Sequence, residues 1–316
     1  MKHKADKVGT PVDIPCRDGL VLKGRLWPSQ MGAASGRVII NPATGVAARY
    51  YHRYAHFLAG QGFTVLTYDY RGIGESRPKR LAGCGYRWRD WGERDFDAAV
   101  QFMDGQAGGP LIVVGHSVGG FLIGLAETAS RVDRVLRVGA QYAWWGDYAP
   151  RRRLSLFVKW HIVMPLVTAA CGYFPGRRLG WLEDLPAGVA NEWSFRGPRF
   201  ETSHPSGERP KVLARMRRVA APILAAAVAD DELGTVPAIM RTLSYYRHAP
   251  RTVVQIKPAD YGCASIGHFD LFHDRHAAGF WIETLAWLRD GTNPWPERVI
   301  ASAWPDGSMV DRPGAP

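Results

Sequence analysis

Short β-branched and apolar runs alternate with helical stretches along most of the chain, and that alternation limits the fold more than any single residue does. The runs lie at residues 38–40, 64–68, 111–114, 134–138, 223–229 and 252–256. Helical patterns occupy 50–60, 91–104, 118–128, 237–248 and 275–289. Neighbouring parallel strands need a long crossover, usually a helix, so this order predicts a mainly parallel sheet with helices on both faces. Ahead of it, 12–16 and 20–25 flank Arg17-Asp18-Gly19 and predict an opening hairpin turned by Asp-Gly.

From Trp144 to Arg218 the alternation fails, and the segment is rich in aromatics, arginine, proline and glycine. The expected organisation is therefore a core of 1–143 and 219–290, an inserted, largely helical cap over 144–218, and a C-terminal tail over 291–316 that wraps the surface or is partly disordered. Trp144, Trp145, Phe157, Trp160, Tyr173, Phe174, Trp181 and Trp193 predict that the cap encloses an apolar part of a small-molecule substrate. The alternative is that Arg151 to Arg153 and Arg177 to Arg178 flank the entrance and favour anionic substrates.

Composition narrows the function classes. With 46% hydrophobic and 22% charged residues among 316, the chain is neither collagenous nor disordered. The formal charge of +11 raises the question of nucleic acid. Its arginines are dispersed, however, and no nucleic-acid module accompanies them, so no such partner is expected. Cys16, Cys84, Cys171 and Cys263 form no Cys-x-x-Cys pair, which predicts reduced thiols, a cytoplasmic setting and no structural metal. No apolar run follows the first ten residues, so an export signal is not expected. The apolar stretch 154–174 contains Lys159, His161 and Pro165. A charge at a bilayer centre costs roughly 2.5 to 3.5 kcal/mol, so no membrane span is expected either. No cofactor is called for, and oligomeric state is not legible.

The chemistry is concentrated at strand ends. The run 111–114 leads into Gly115-His116-Ser117-Val118-Gly119-Gly120 and then a helical stretch. A strand, Gly-x-Ser-x-Gly, helix arrangement is the pattern of a nucleophile elbow, in which a sharp turn lifts a serine hydroxyl above the sheet. A serine hydroxyl is a poor nucleophile at neutral pH and needs a base, which needs an orienting carboxylate. These follow later in the chain, acid before histidine. The run 223–229 ends in Asp230-Asp231-Glu232, and Asp231 is the expected acid, since one step along a turn reverses side-chain direction. His268, in Ser265-Ile266-Gly267-His268-Phe269, is the expected base. His116 neighbours the serine and is expected to point away from it. His273 and His276 make a single His-x-x-His without an acidic third ligand, too little for a metal site.

An acyl-transfer site also needs donors for the developing oxyanion. The Val118 backbone N–H is one. The other is expected from Asn41-Pro42-Ala43-Thr44-Gly45, with Thr44 as the donor and Ala43 as the fallback, because Pro42 has no N–H. In Tyr68-Asp69-Tyr70-Arg71-Gly72-Ile73-Gly74, the Gly-x-Gly lacks the third glycine of a dinucleotide site. Asp69 and Arg71 are expected to hold that loop by ionic and backbone hydrogen bonds.

Through 41–45, 69–76, 115–119, Asp231 and Gly267-His268, the sequence resembles the α/β-hydrolase superfamily over roughly residues 12–288. More narrowly, 68–78, 115–120, 172–176 with 185–188, and 265–269 resemble bacterial α/β-hydrolases related to serine aminopeptidase-like and esterase-like members. The resemblance implies an eight-stranded, mainly parallel sheet with a cap. It also implies hydrolysis of a carboxylic ester through an acyl-enzyme. Acyl transfer, amide cleavage and a non-catalytic ligand receptor on the same fold remain open alternatives at this stage. One departure stands out: the usual His-Gly of the oxyanion loop is Pro42-Ala43 here.

Overall fold

In the computed structural model, which describes residues 8–303 and 309–310, the apolar runs become strands, buried at nearly every position in the middle of the sheet and partly exposed toward its edges. They are β1 (Thr10–Pro15), β2 (Val21–Trp27), β3 (Gly36–Asn41), β4 (Phe63–Tyr68), β5 (Leu111–His116) and β6 (Arg134–Val138). After a short ribbon, β7 (Tyr173–Phe174) and β8 (Leu185–Pro186), come β9 (Ile223–Val228), β10 (Arg251–Ile256), β11 (Val299–Ala303) and β12 (Met309–Val310). Apart from the ribbon they form one ten-stranded sheet in the order β1-β2-β4-β3-β5-β6-β9-β10-β11-β12. Every pairing from β4 through β10 is parallel, while β1, β2, β11 and β12 pair antiparallel. The first eight strands of that order are the sheet expected from sequence.

Successive residues of a strand face opposite sides of the sheet, so one run supplies two cores. Ile39, Leu66, Val113 and Ala225 face one core; Ile40, Val65, Val114 and Leu224 face the other. Helix Asp97–Asp104 covers the first through Ala99, Val100 and Met103. Helices His52–Gly60 and Ile282–Asp290 cover the second through Tyr54, Leu58, Leu285 and Leu288. Truncating a side chain such as Leu58 to alanine costs about 2 to 5 kcal/mol in a core packed this way.

The hairpin closes with Pro15 opposite Val21, and Gly19 at φ 83° makes its turn. At the other end the tail departs from expectation. Val299–Ala303 does not merely wrap the surface but extends the sheet antiparallel to β10, and Met309–Val310 pairs beyond it. Without them β10 would be an open edge with unpaired backbone groups. The rest of the expected tail, 304–308 and 311–316, lies outside the described residues, as do residues 1–7, which include most of the stretch read for an export signal.

Between β6 and β9 the chain carries helices Arg153–Cys171, Ala187–Ser194 and Arg209–Arg218 together with the β7–β8 ribbon. Helix Arg153–Cys171, with 19 residues, is long and apolar enough to cross a membrane by length and composition alone. Its face Leu156, Trp160, Met164 and Thr168 is nevertheless buried within the fold, at the four-residue spacing that keeps side chains on one side of a helix.

Candidate active site

Ser117 occupies the turn between β5 and helix Val118–Phe121 with φ 53° and ψ −126°, a conformation that side-chain-bearing residues rarely adopt. Such strain costs about 1 to 3 kcal/mol and persists only where the surroundings enforce it. Here they do. A Cβ on Gly115 would lie 2.3 Å from Gly120 Cα, and one on Gly119 would lie 2.3 Å from the Asn41 carbonyl oxygen. The strand, the helix and the β3 loop therefore meet as bare backbone. Asn41 ties them together, donating from Nδ2 to the Gly119 carbonyl at 3.1 Å and accepting from Tyr68 Oη at 2.8 Å. The Ser117 N–H donates to the Val138 carbonyl at 2.9 Å.

The turn after β9 brings Asp231 to His268, with Oδ2 2.6 Å from Nδ1. Oδ1 accepts the N–H groups of Leu233 at 2.8 Å and Gly234 at 2.7 Å. Burial alone would raise this carboxyl, but attraction to His268 and these hydrogen bonds hold it below its ordinary value. Asp230 faces elsewhere: its oxygens accept Ile266 N–H and Gly267 N–H, both at 3.0 Å. One aspartate thus touches the imidazole, and its neighbour fixes the loop that carries it.

His116 points away from Ser117 but is not idle. Its Nε2 lies 2.8 Å from the His268 carbonyl oxygen and its Nδ1 2.7 Å from Tyr51 Oη. Burial, reinforced by repulsion from His268, lowers its pKa to about 3, so it is neutral and donates from Nε2 while Nδ1 accepts. Tyr51 Oη in turn accepts the Ala43 N–H at 3.0 Å. That engages the fallback oxyanion donor. The next N–H along the loop, that of Thr44, has no acceptor among the described residues.

Asp69 and Arg71 brace the adjoining loop. Asp69 accepts Ala48 N–H at 2.7 Å and Glu75 N–H at 2.8 Å. Arg71 bonds Asp95 at 2.6 Å and Asp18 at 2.7 Å. His276 contacts Asp270, and His273 contacts Asp274, each a local contact between neighbouring side chains.

Ser117, Val118, Thr44 and His268 open on one cavity of about 510 Å³. The inserted segment contributes Leu156, Trp160, Trp181 and Trp193 to its wall, with Trp160 stacked on Trp193 at 4.6 Å between ring centres. Trp144, Trp145, Phe157, Tyr173 and Phe174 lie outside this wall. Two lining residues escape a sequence reading. Gln141, three residues past the end of β6, accepts the Ala143 N–H with its carbonyl and donates from Nε2 to Ser117 Oγ at 3.3 Å. Arg196 lies at the aromatic end of the cavity. The only local signal for Gln141 is its place just beyond a strand end, and Arg196 has none.

The fold is shared with solved structures. An esterase of Pyrococcus furiosus superposes with a TM-score of 0.54 at 16% identity, covering 88% of this chain and 90% of that one. This chain has the α/β-hydrolase fold. Est1E of Butyrivibrio proteoclasticus, solved with ferulic acid bound, matches the fold at TM-score 0.54 and 14% identity over 88% of this chain and 99% of its own. The monoacylglycerol lipase of Paleococcus ferrophilus does so at 0.54 and 16% over 86% and 99%. Residues 32–168 match the family model described as serine aminopeptidase, S33. That match bears out the resemblance to serine aminopeptidase-like α/β-hydrolases. Among curated proteins no sequence matches the chain.

Proposed function

We propose that this α/β-hydrolase is a serine hydrolase that cleaves carboxylic esters through an acyl-enzyme on Ser117. The observation that carries this reading is the 2.6 Å Asp231–His268 hydrogen bond, on a cavity shared with a serine held at positive φ on a strand-to-helix turn.

In the first step His268 Nε2 takes the Ser117 hydroxyl proton as Oγ bonds to the acyl carbon. The hydroxyl can donate to the imidazole while accepting from Gln141. The carbonyl electron pair moves onto oxygen, where the N–H groups of Val118 and Thr44 stabilise it. The pair then returns, the carbon–oxygen bond to the alcohol breaks, and His268 delivers its proton to the departing oxygen. Water repeats the sequence and frees the acid. Asp231 stays ionised throughout, stabilises the imidazolium and holds its Nδ1–H tautomer. The segment 144–218 acts as a cap, and its tryptophans take an apolar part of a small-molecule substrate. The free thiols of Cys16, Cys84, Cys171 and Cys263 suit a reducing, cytoplasmic setting.

A fluorophosphonate probe tests the reading. It should label the wild type and not Ser117→Ala, and the wild type should hydrolyse 4-nitrophenyl esters faster than matched anilides or lactones. A well-folded wild type that neither labels nor turns over any ester would favour a ligand receptor instead.

A further inference from the structure

The charged side chains around the cavity do not balance. Its carboxylates are Asp230 and Glu232, and its cations are Arg152, Lys159 and Arg196. Asp230 is engaged by the Ile266 and Gly267 N–H groups. Glu232 pairs with Arg152 at 3.4 Å. Among the described residues, neither Lys159 nor Arg196 has a carboxylate within ion-pair distance. The Lys159 ammonium rests over the rings of Trp160 and Trp181, 4.4 and 4.3 Å from their centres.

Arg196 is the more telling of the two. It follows helix Ala187–Ser194, is 4% exposed, and its guanidinium carbon lies 4.3 Å from the ring centre of Trp88 and 5.1 Å from that of Phe200. Nε donates to the Glu192 carbonyl at 3.2 Å, whereas Nη1 is buried without an acceptor. The Glu192 carboxylate, one turn back, accepts the Arg89 N–H at 3.2 Å instead. Burial lowers Arg196 to about 10 against the attraction of the nearby Glu192 carboxylate, which still leaves it a cation at neutral pH. Glu192 attracts this guanidinium without touching it, and a guanidinium out of water with no carboxylate in contact leaves a donor that a ligand's anion can take. Two aromatic rings fix its plane, and a planar fork of N–H donors matches the two oxygens of a carboxylate.

We infer that Arg196 anchors a carboxylate of the substrate, so that the esters hydrolysed at Ser117 carry a free carboxylate joined to the reacting group by an apolar or aromatic segment. This rests on the serine-hydrolase reading for the reaction but not for the binding. Trp88, Tyr142 and Trp193 line the cavity beside Arg196 and would flank that segment. Lys159 adds a second positive charge along the same wall.

The test compares 4-nitrophenyl hydrogen glutarate with its methyl ester, the same molecule with the charge masked, by nitrophenolate release. The wild type should favour the free acid in kcat/KM by at least about tenfold. Arg196→Met should lower the ratio of acid to masked ester by about a hundredfold, and Arg196→Lys should recover part of it. Equal losses on both substrates, or a wild type that prefers the masked ester, would overturn the anchor and leave Arg196 as an aromatic-clamped strut. Should Arg196→Met not fold, the wild type decides: glutarate should inhibit at least tenfold more strongly than glutaramide, and equal inhibition overturns the proposal. Calorimetric binding of glutarate to Ser117→Ala separates the two readings, because it needs no turnover. Binding there with no ester hydrolysis in the wild type would reject the reaction and keep the anchor.

Discussion

Asp231 Oδ2 lies 2.6 Å from His268 Nδ1, and the second oxygen of the same carboxylate accepts two backbone N–H groups. The side chain is thus held from both ends and cannot swing from the ring. Asp230 has a different task, because its two oxygens hold the N–H groups of Ile266 and Gly267 just before His268.

The two aspartates should therefore differ sharply on mutation. Asp231→Asn presents an amide to Nδ1 and favours the wrong tautomer, so kcat should fall by about 10³ to 10⁴. Asp230→Asn keeps one acceptor for two donors and displaces the imidazole without removing its partner. It should cost about tenfold to a hundredfold in kcat and lower the Tm. Steady-state kinetics with thermal melts of both variants check this, and the reverse order would move the acid to Asp230.

Positive φ at Ser117 gives a prediction about stability. Glycine adopts φ 53° without strain and alanine does not. Ser117→Gly should be more stable than Ser117→Ala by about 1 kcal/mol, and both should be inactive. Equal denaturant midpoints would mean that the turn carries no strain.

Much of this site is legible in sequence because its parts sit at strand ends, where short-range spacing carries the information. Leu111–His116 is buried at every position, and its first four residues are written as an unbroken apolar run shortly before Ser117. Asp231 follows such a run, β9, whereas His268 lies in the loop after the only partly buried β10. What stays hidden depends on distant chain. Gln141 lies 24 residues from Ser117 and is recognisable only once β5 and β6 are paired. Arg196 looks like any surface arginine until Trp88 and Phe200 close over it. Strand β11 has no fully buried residue, so no strong period marks it; it exists because β10 offers an edge.

Buried neutral histidines predict how acid acts on stability. The His116 pKa is lowered to about 3 by burial, and that of His204 to about 4 by burial and neighbouring arginines. In the unfolded chain each takes up a proton near pH 6.5, so the unfolded state binds more protons between that pH and the folded values. The stability these two histidines contribute is complete above about pH 6.5 and declines as pH falls toward 3. For fully buried His116 the slope is about 1 kcal/mol per pH unit. His116→Gln should be less stable at pH 8 but show a flatter decline from pH 6.5 to 4 in denaturant melts. An unchanged slope would assign the acid sensitivity to other groups.

The last prediction concerns the wall of tryptophans. Leu156, Trp160, Trp181 and Trp193 line the cavity that holds Ser117, and the rings of Trp160 and Trp193 stack at 4.6 Å. Each methylene that moves from water into such a wall is worth up to about 0.8 kcal/mol, or roughly fourfold in kcat/KM. From 4-nitrophenyl acetate to butyrate, kcat/KM should therefore climb with each added carbon. Contact with an apolar surface is insensitive to ionic strength, whereas attraction to exposed arginines decays over about 8 Å at physiological salt. The slope should therefore hold when sodium chloride is raised. Trp193→Ala enlarges the cavity and removes one side of the stack, so it should flatten the dependence more than it lowers acetate hydrolysis. A flat series in the wild type, joined to a steep loss with salt on an anionic ester, would instead make exposed charge the selecting feature. The tryptophans would then serve to join the inserted segment to the sheet.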